Sequence, residues 1–157
     1  MQMREARLED VDAIMGLVHR IVPPMKASGN LQWDDPYPNA WVFARDVTRG
    51  QLWVAEVDAG IVGVAAITMD QEPEYAEVGW DPSESAVVVH RLAVDPAYRG
   101  QGVDTNTQNQ ATQGLFPKLG YSLAGEIGLG FRPGLRFQCY EKRLPPAGKA
   151  AKRRCSR

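Results

Sequence analysis

Two rhythms of apolar residues succeed one another along the chain. A short strand is expected at residues 3–7, after which Val11, Ile14, Met15, Val18, Ile21 and Val22 recur at helical spacing. Glu9, Asp10 and Asp12 favour the helix start electrostatically, and Pro23-Pro24 is expected to end it. A polar and aromatic loop, Ser28 to Pro38, precedes Asn39, which can cap a second helix with Phe43 and Val47 facing inward and Gly50 at its end. The period then shortens to that of strands. Gln51 to Val57 and Ile61 to Met69 are apolar and β-branched on either side of Asp58-Ala59-Gly60, the pattern of an antiparallel hairpin. An acidic stretch, Asp70 to Ser85, leads into a strand at 86–94. A helix opened by Asn106 or Thr107 runs to about Lys118 and closes at Gly120, and strands at Tyr121 to Ile127 and Leu135 to Leu144 end the series. Trp41 and Trp53 are expected in the core.

At 157 residues, with 44% hydrophobic and 24% charged side chains, the chain has the composition of a single globular domain. No linker interrupts it before residue 145, so the domain is placed at 1–144 and a disordered basic tail at 145–157. No apolar run is long enough to span a bilayer. The N-terminal residues lack a signal-peptide pattern, and the two cysteines, Cys139 and Cys155, suit a reducing cytoplasm with free thiols. Seven of the 18 basic residues fall in 142–157, so the remaining body carries 11 basic against 19 acidic side chains. Such a body repels a nucleic-acid backbone, and neither nucleic acid nor membrane is expected as a partner. Two histidines and two cysteines, none at ligand spacing, leave no expected metal site.

The most informative stretch is Val87 to Val103, where a β-rich strand empties into a glycine loop carrying Arg99. The strand is expected to stop at Asp95-Pro96, since proline lacks a ladder donor. Gly100 and Gly102 let successive backbone N–H groups turn toward an anion without interference from a Cβ, and Arg99 supplies the charge.

In this order, strand, two helices, hairpin, strand, glycine loop, helix and two strands, the chain resembles the GNAT superfamily of acetyl-CoA-dependent N-acetyltransferases from about Met3 to Leu144. The likeness is carried by His90-Arg91-Leu92-Ala93-Val94-Asp95-Pro96 with Tyr98-Arg99-Gly100-Gln101-Gly102. Asn109 and Phe116 to Tyr121 add to it, as does the loop holding Asn30, Trp33, Tyr37 and Pro38. The resemblance implies an α/β fold, a mixed sheet with helices on both faces. It implies acetyl transfer from acetyl-CoA to a primary amine of a small molecule or protein. Main-chain groups of Leu92 and Val94 would meet the pantetheine and the thioester carbonyl. Arg99, Gly100, Gln101, Gly102 and Val103 would hold the pyrophosphate, and Asn109 would reach the pantetheine arm.

The pattern departs from that family after the glycine loop. Its final small residue falls on Asp104, and Gly102-Val103 joins directly to Asp104-Thr105-Asn106. A helix and a strand with their connections, roughly 20 to 25 residues, are missing. The deletion belongs to the protein, or the given chain omits a segment, or the helix at 106–118 moves into the vacant position. A sheet short of an interior strand exposes backbone edges, so a rearranged sheet or pairing with a second copy is expected.

Catalytic candidates are sparser. The tyrosine that donates a proton to the leaving thiolate in many GNAT enzymes falls on Phe116, which cannot donate. His90, on the cofactor strand, titrates near neutrality and is the candidate base, unless it is simply packed against neighbours. Glu77 is the other candidate, against a plain solvated carboxylate, and a water chain could replace either. Trp33 and Tyr37 could wall the acceptor site, or cover the second helix, while Asp34 and Asp35 could attract a cationic amine. A noncatalytic relative acting by association, for instance as a homodimer, is the competing reading; Phe116, Asp104 and the missing segment favour it.

Overall fold

The first apolar stripe continues through the two prolines. The structure, a computed structural model, describes residues 1–81, 83–98, 116–130 and 133–144. In it β1 (Gln2–Glu5) and a 3-10 turn (Leu8–Asp10) lead into α1, which spans Val11–Ala27 rather than stopping at Pro23-Pro24. Ile14, Leu17, Val18, Ile21, Val22 and Met25 form one buried stripe that the prolines do not touch. Both prolines are exposed, and neither can donate to the carbonyls of His19 and Arg20, residues that are exposed as well. The helix closes one turn later, where Ser28 Oγ donates to the Met25 carbonyl at 2.7 Å. Asp10 serves as an anchor more than as a dipole charge. It accepts from Arg4 at 2.7 and 2.9 Å and from the Arg7 backbone N–H at 2.7 Å, and the Arg4 bonds hold its carboxyl below the usual range.

Helix α2 (Ala40–Thr48) is capped as expected, Asn39 Oδ1 accepting from the Val42 N–H at 3.1 Å. Strands β2 (Leu52–Val57) and β3 (Gly60–Thr68) turn through Asp58 and Ala59, both at positive φ, the geometry of a two-residue hairpin that follows strand twist. With β4 (Val88–Val94) they form a sheet in the order β1-β2-β3-β4, and β5 (Ser122–Gly128) and β6 (Arg136–Glu141) form a second, two-stranded one. Every strand pair among the described residues is antiparallel. The α/β class holds, while the parallel component of a mixed sheet is not among these pairs.

Residues paired across the ladder share a face. Leu52, Val54, Val64, Ala66 and Ala93 therefore project together, and α1 and α2 pack on them with Phe43 and Trp33 in the main core. Ala55, Ala65 and Val94, on the opposite face, are buried too. Trp41 departs from expectation. Its ring is 68% exposed and lies against the Arg45 guanidinium on the outer side of α2, and Trp53 is half-buried.

The β5–β6 hairpin is joined to the rest through a 3-10 helix, Pro73–Val78, that the acidic stretch did not announce. Tyr75, Ile127 and Cys139 are its buried centre, with Val78, Trp80, Val88 and Phe137 around them. The ladder slips at Ala124, and Gly125 brings the β5 backbone against Val78. A Cβ at Gly125 would stand 2.8 Å from Val78 Cγ1. Such overpacking costs about 1–3 kcal/mol. Gly125→Ala is expected to lower the thermal midpoint, and Val78→Ala in the same chain to restore only the steric part of the loss, since φ +159° at Gly125 strains any side chain whatever the space. An equal drop in both backgrounds would show that the hairpin does not rest on this contact.

Candidate active site

Strand β4 ends where proline stops it, and its end is pinned twice. The Asp95 N–H still donates to the Val62 carbonyl at 2.8 Å. Its carboxylate accepts from Arg20 Nε of α1 at 2.9 Å and from the Ala97 N–H at 3.0 Å, which turns the chain into a short 3-10 segment, Pro96–Tyr98. The segment after β4 thus leaves the sheet from a fixed point.

The middle of β4 is irregular. Val64 pairs with Ala93 and Ala66 with His90, so Arg91 and Leu92 together oppose the single residue Ala65. This is a β-bulge, which bends a strand and re-aims its groups. Arg91 takes φ +49°, a left-handed conformation uncommon for a residue with a Cβ. Its guanidinium points toward α2, where Nε donates to Asp46 Oδ2 at 2.6 Å, and Nη1 lies 3.4 Å from the Tyr37 hydroxyl. The Asp46 side chain is 1% exposed and that of Arg91 10%. Left-handed strain costs about 1–3 kcal/mol. Leaving one member of such a buried pair without its partner costs about 3–5 kcal/mol. The pair therefore prevails over the strain and holds the bulge.

His90 sits beside this pair, on the face shared with Ala66. Burial, helped by the positive charge of Arg91, pushes its imidazole below the ordinary 6.5, while the Asp70 backbone carbonyl and the Asp46 and Asp70 charges pull the other way. Burial wins, so the ring is neutral at physiological pH and available as a proton acceptor. Val88, two residues earlier on the same strand, packs against the second cluster. There Tyr75 and Trp80 meet edge to face at 5.3 Å, and burial raises the Tyr75 phenol and lifts the Cys139 thiol to about 11, making both poor acids. The Gly130 N–H donates to Glu74 Oε1 at 3.1 Å, tying the hairpin end to this wall.

The structure thus brings His90, Arg91, Asp46 and Tyr37 together. Glu77 is exposed on the 3-10 helix and is a charged neighbour of Cys139, not one of the groups that act on His90. Trp33 is 7% exposed and belongs to the main core, so it supports the loop from within instead of walling an open site; Tyr37 is half-buried. Asp35 pairs with Lys26 at 3.3 Å, and Asp34 accepts from the Tyr37 N–H. Leu92 is 36% exposed at the bulge and Val94 is buried. Arg99, Gly100, Gln101, Gly102, Val103, Asn109 and the tail at 145–157 lie outside the described residues, as does the join at Asp104. Phe116 stacks on Tyr140 at 4.6 Å and meets Tyr121 at 5.5 Å. Sequence reasoning misses Asp46, although a carboxylate three residues after Phe43, on the apolar side of a helix, carries the signal of a buried ion pair.

Known proteins share this fold. The profile of the acetyltransferase (GNAT) domain matches residues 48–106, from the end of α2 through β4 and into the glycine loop. YesJ of Bacillus subtilis (strain 168), described as an uncharacterized N-acetyltransferase, is 25% identical over 115 residues, covering 70% of this chain and 63% of that protein. The chain thus spans less than two thirds of that relative. A GNAT-family acetyltransferase structure from Streptococcus agalactiae 2603 superimposes with a TM-score of 0.75 at 24% identity, covering 92% of this chain and 96% of the other. The PaiA N-acetyltransferase of Thermoplasma acidophilum, solved with coenzyme A, superimposes at 0.57 with 13% identity, over 90% and 98% of the two chains. No helix among the described residues is long and apolar enough to cross a membrane. The matched segment and the shared fold make this chain similar to the GNAT superfamily of acetyltransferases.

Proposed function

We propose that the chain transfers an acetyl group from acetyl-CoA to a primary amine of a small molecule or protein. The bulge at Arg91–Leu92 carries this reading, because it lies on the strand where the family resemblance places the thioester carbonyl, and its Leu92 is exposed. The coenzyme A held by the PaiA relative supports the same donor class. The amine nitrogen attacks the thioester carbon, its proton passes to neutral His90, the carbon–sulfur bond breaks, and the CoA thiolate takes a proton from solvent. A backbone N–H at the bulge would meet the developing oxyanion, an arrangement whose loss commonly costs about 10²–10³ in rate. Arg99 and the loop through Val103 would hold the pyrophosphate, with Asn109 on the pantetheine arm. Tyr37 borders the acceptor side. A cytoplasmic setting suits both substrates.

Two observations favour a noncatalytic, associating protein instead. Phe116, which cannot donate a proton, is packed between Tyr121 and Tyr140, and the described strands fall into two separate sheets. Calorimetric titration with acetyl-CoA separates the readings. The enzyme binds it, and Arg99→Ala weakens binding because charge-assisted bonds to phosphate are lost. A chain that ignores acetyl-CoA yet dimerises in sedimentation has the second role.

The depressed His90 basicity sets a pH dependence. Above the ordinary 6.5 the ring is neutral whether folded or unfolded; as pH falls below it the unfolded chain binds the proton first, so stability drains away down to the lower folded value. Thermal midpoints of His90→Gln are expected to fall less than wild type across this acidic window. Its transferase rate is expected to lose the acid limb assigned to His90. Parallel melting curves and an unchanged rate profile would remove His90 from both roles.

A further inference from the structure

The pair between Asp46 and Arg91 joins residues 45 positions apart in sequence, and it does so at a strand position that is both bulged and left-handed. A left-handed arginine inside a strand persists only where its surroundings over-determine it. Here the anchor is a carboxylate 1% exposed, 2.6 Å from Nε, on a helix fixed in the main core by Phe43. The Tyr37 hydroxyl, 3.4 Å from Nη1, adds a second hold from the 30–39 loop. With the side chain drawn toward α2, the backbone between Arg91 and Leu92 cannot relax into the regular ladder opposite Ala65. Leu92 is left exposed while Ala93 and Val94, the next two residues, are buried.

Resting on the acetyl-CoA reading, we propose that Asp46 is a positioning residue: through Arg91 it holds the bulge that turns the Leu92 main chain toward the acyl group. Asp46 touches no substrate. Its effect falls on the acetyl end of the donor and not on the CoA body.

Amide NMR of the full chain, titrated in parallel with CoA and with acetyl-CoA, tests this. In wild type the Leu92 amide is expected to shift differently with the two ligands. Asp46→Asn keeps the shape and removes the charge, and is expected to cut that acetyl-specific difference by at least half while calorimetric CoA affinity changes less than about threefold. Arg91→Lys, which keeps a cation near Asp46, should retain part of the difference. Should Asp46→Asn fold poorly, Asp46→Leu with Arg91→Met removes both charges, a replacement that buried pairs often tolerate, and the same loss is expected. A full acetyl-specific shift in a folded Asp46 variant overturns the positioning role while leaving the acetyl-CoA reading intact. A wild type that binds neither ligand overturns both, and the two failures are told apart because the second appears before any substitution is made. Equal loss of CoA and acetyl-CoA affinity in Asp46→Asn also overturns it, since a general structural role would act that way.

Discussion

A single buried ion pair decides the shape of this sheet at its fourth strand. Asp46 and Arg91 are both removed from water, and although Arg45 also lies 3.7 Å from Asp46, the short bond to Arg91 is the closer of the two contacts. Their union fixes the distance between α2 and β4 and makes the left-handed turn at Arg91 the less costly option. The neighbouring residues of β4 inherit that choice: the side on which His90 lies, the exposure of Leu92, and the path toward Asp95. A regular strand would have placed the same residues on other faces, because one extra residue inverts the alternation.

The remaining electrostatics fix the margins of the same sheet. Arg20 holds Asp95 at the end of β4, Arg4 holds Asp10 and Glu56 at the opposite edge, and Arg49 reaches Asp70 where β3 leaves it. Arg20, Arg49 and their partners are partly exposed, so these contacts add register more than stability. Asp46 differs because water is excluded from it.

Much of this architecture was legible in the residues. The helix caps at Asn39 and Gly50, the hairpin around Asp58-Ala59 and the stop at Pro96 follow from local chemistry, and local chemistry is what a sequence displays. Two errors show the limit. Pro23 and Pro24 read as a helix end because their cost is local, yet burial of Met25 just beyond them outweighed it. Trp41 read as core because it is large and apolar, while its position on α2 points it outward. Of the candidate site, His90 and Tyr37 were named from the sequence, and Arg91 lies between them, next to the one and 3.4 Å from the hydroxyl of the other. What places Arg91 there, Asp46 and the bulge, depends on a contact between distant segments that no periodicity records.

The two hydrophobic clusters differ greatly in size. Among the described residues the main one has fifteen buried members, and the one beneath the β5–β6 hairpin has three. Regions with few buried contacts open at lower free energy than the global transition. The wall formed by Tyr75, Trp80 and the hairpin is therefore the side of the molecule that can be rebuilt with the least risk to folding. Over evolutionary time, a scaffold divided in this way can vary its small cluster while the end of β4, through Ala93, stays under the protection of the large one.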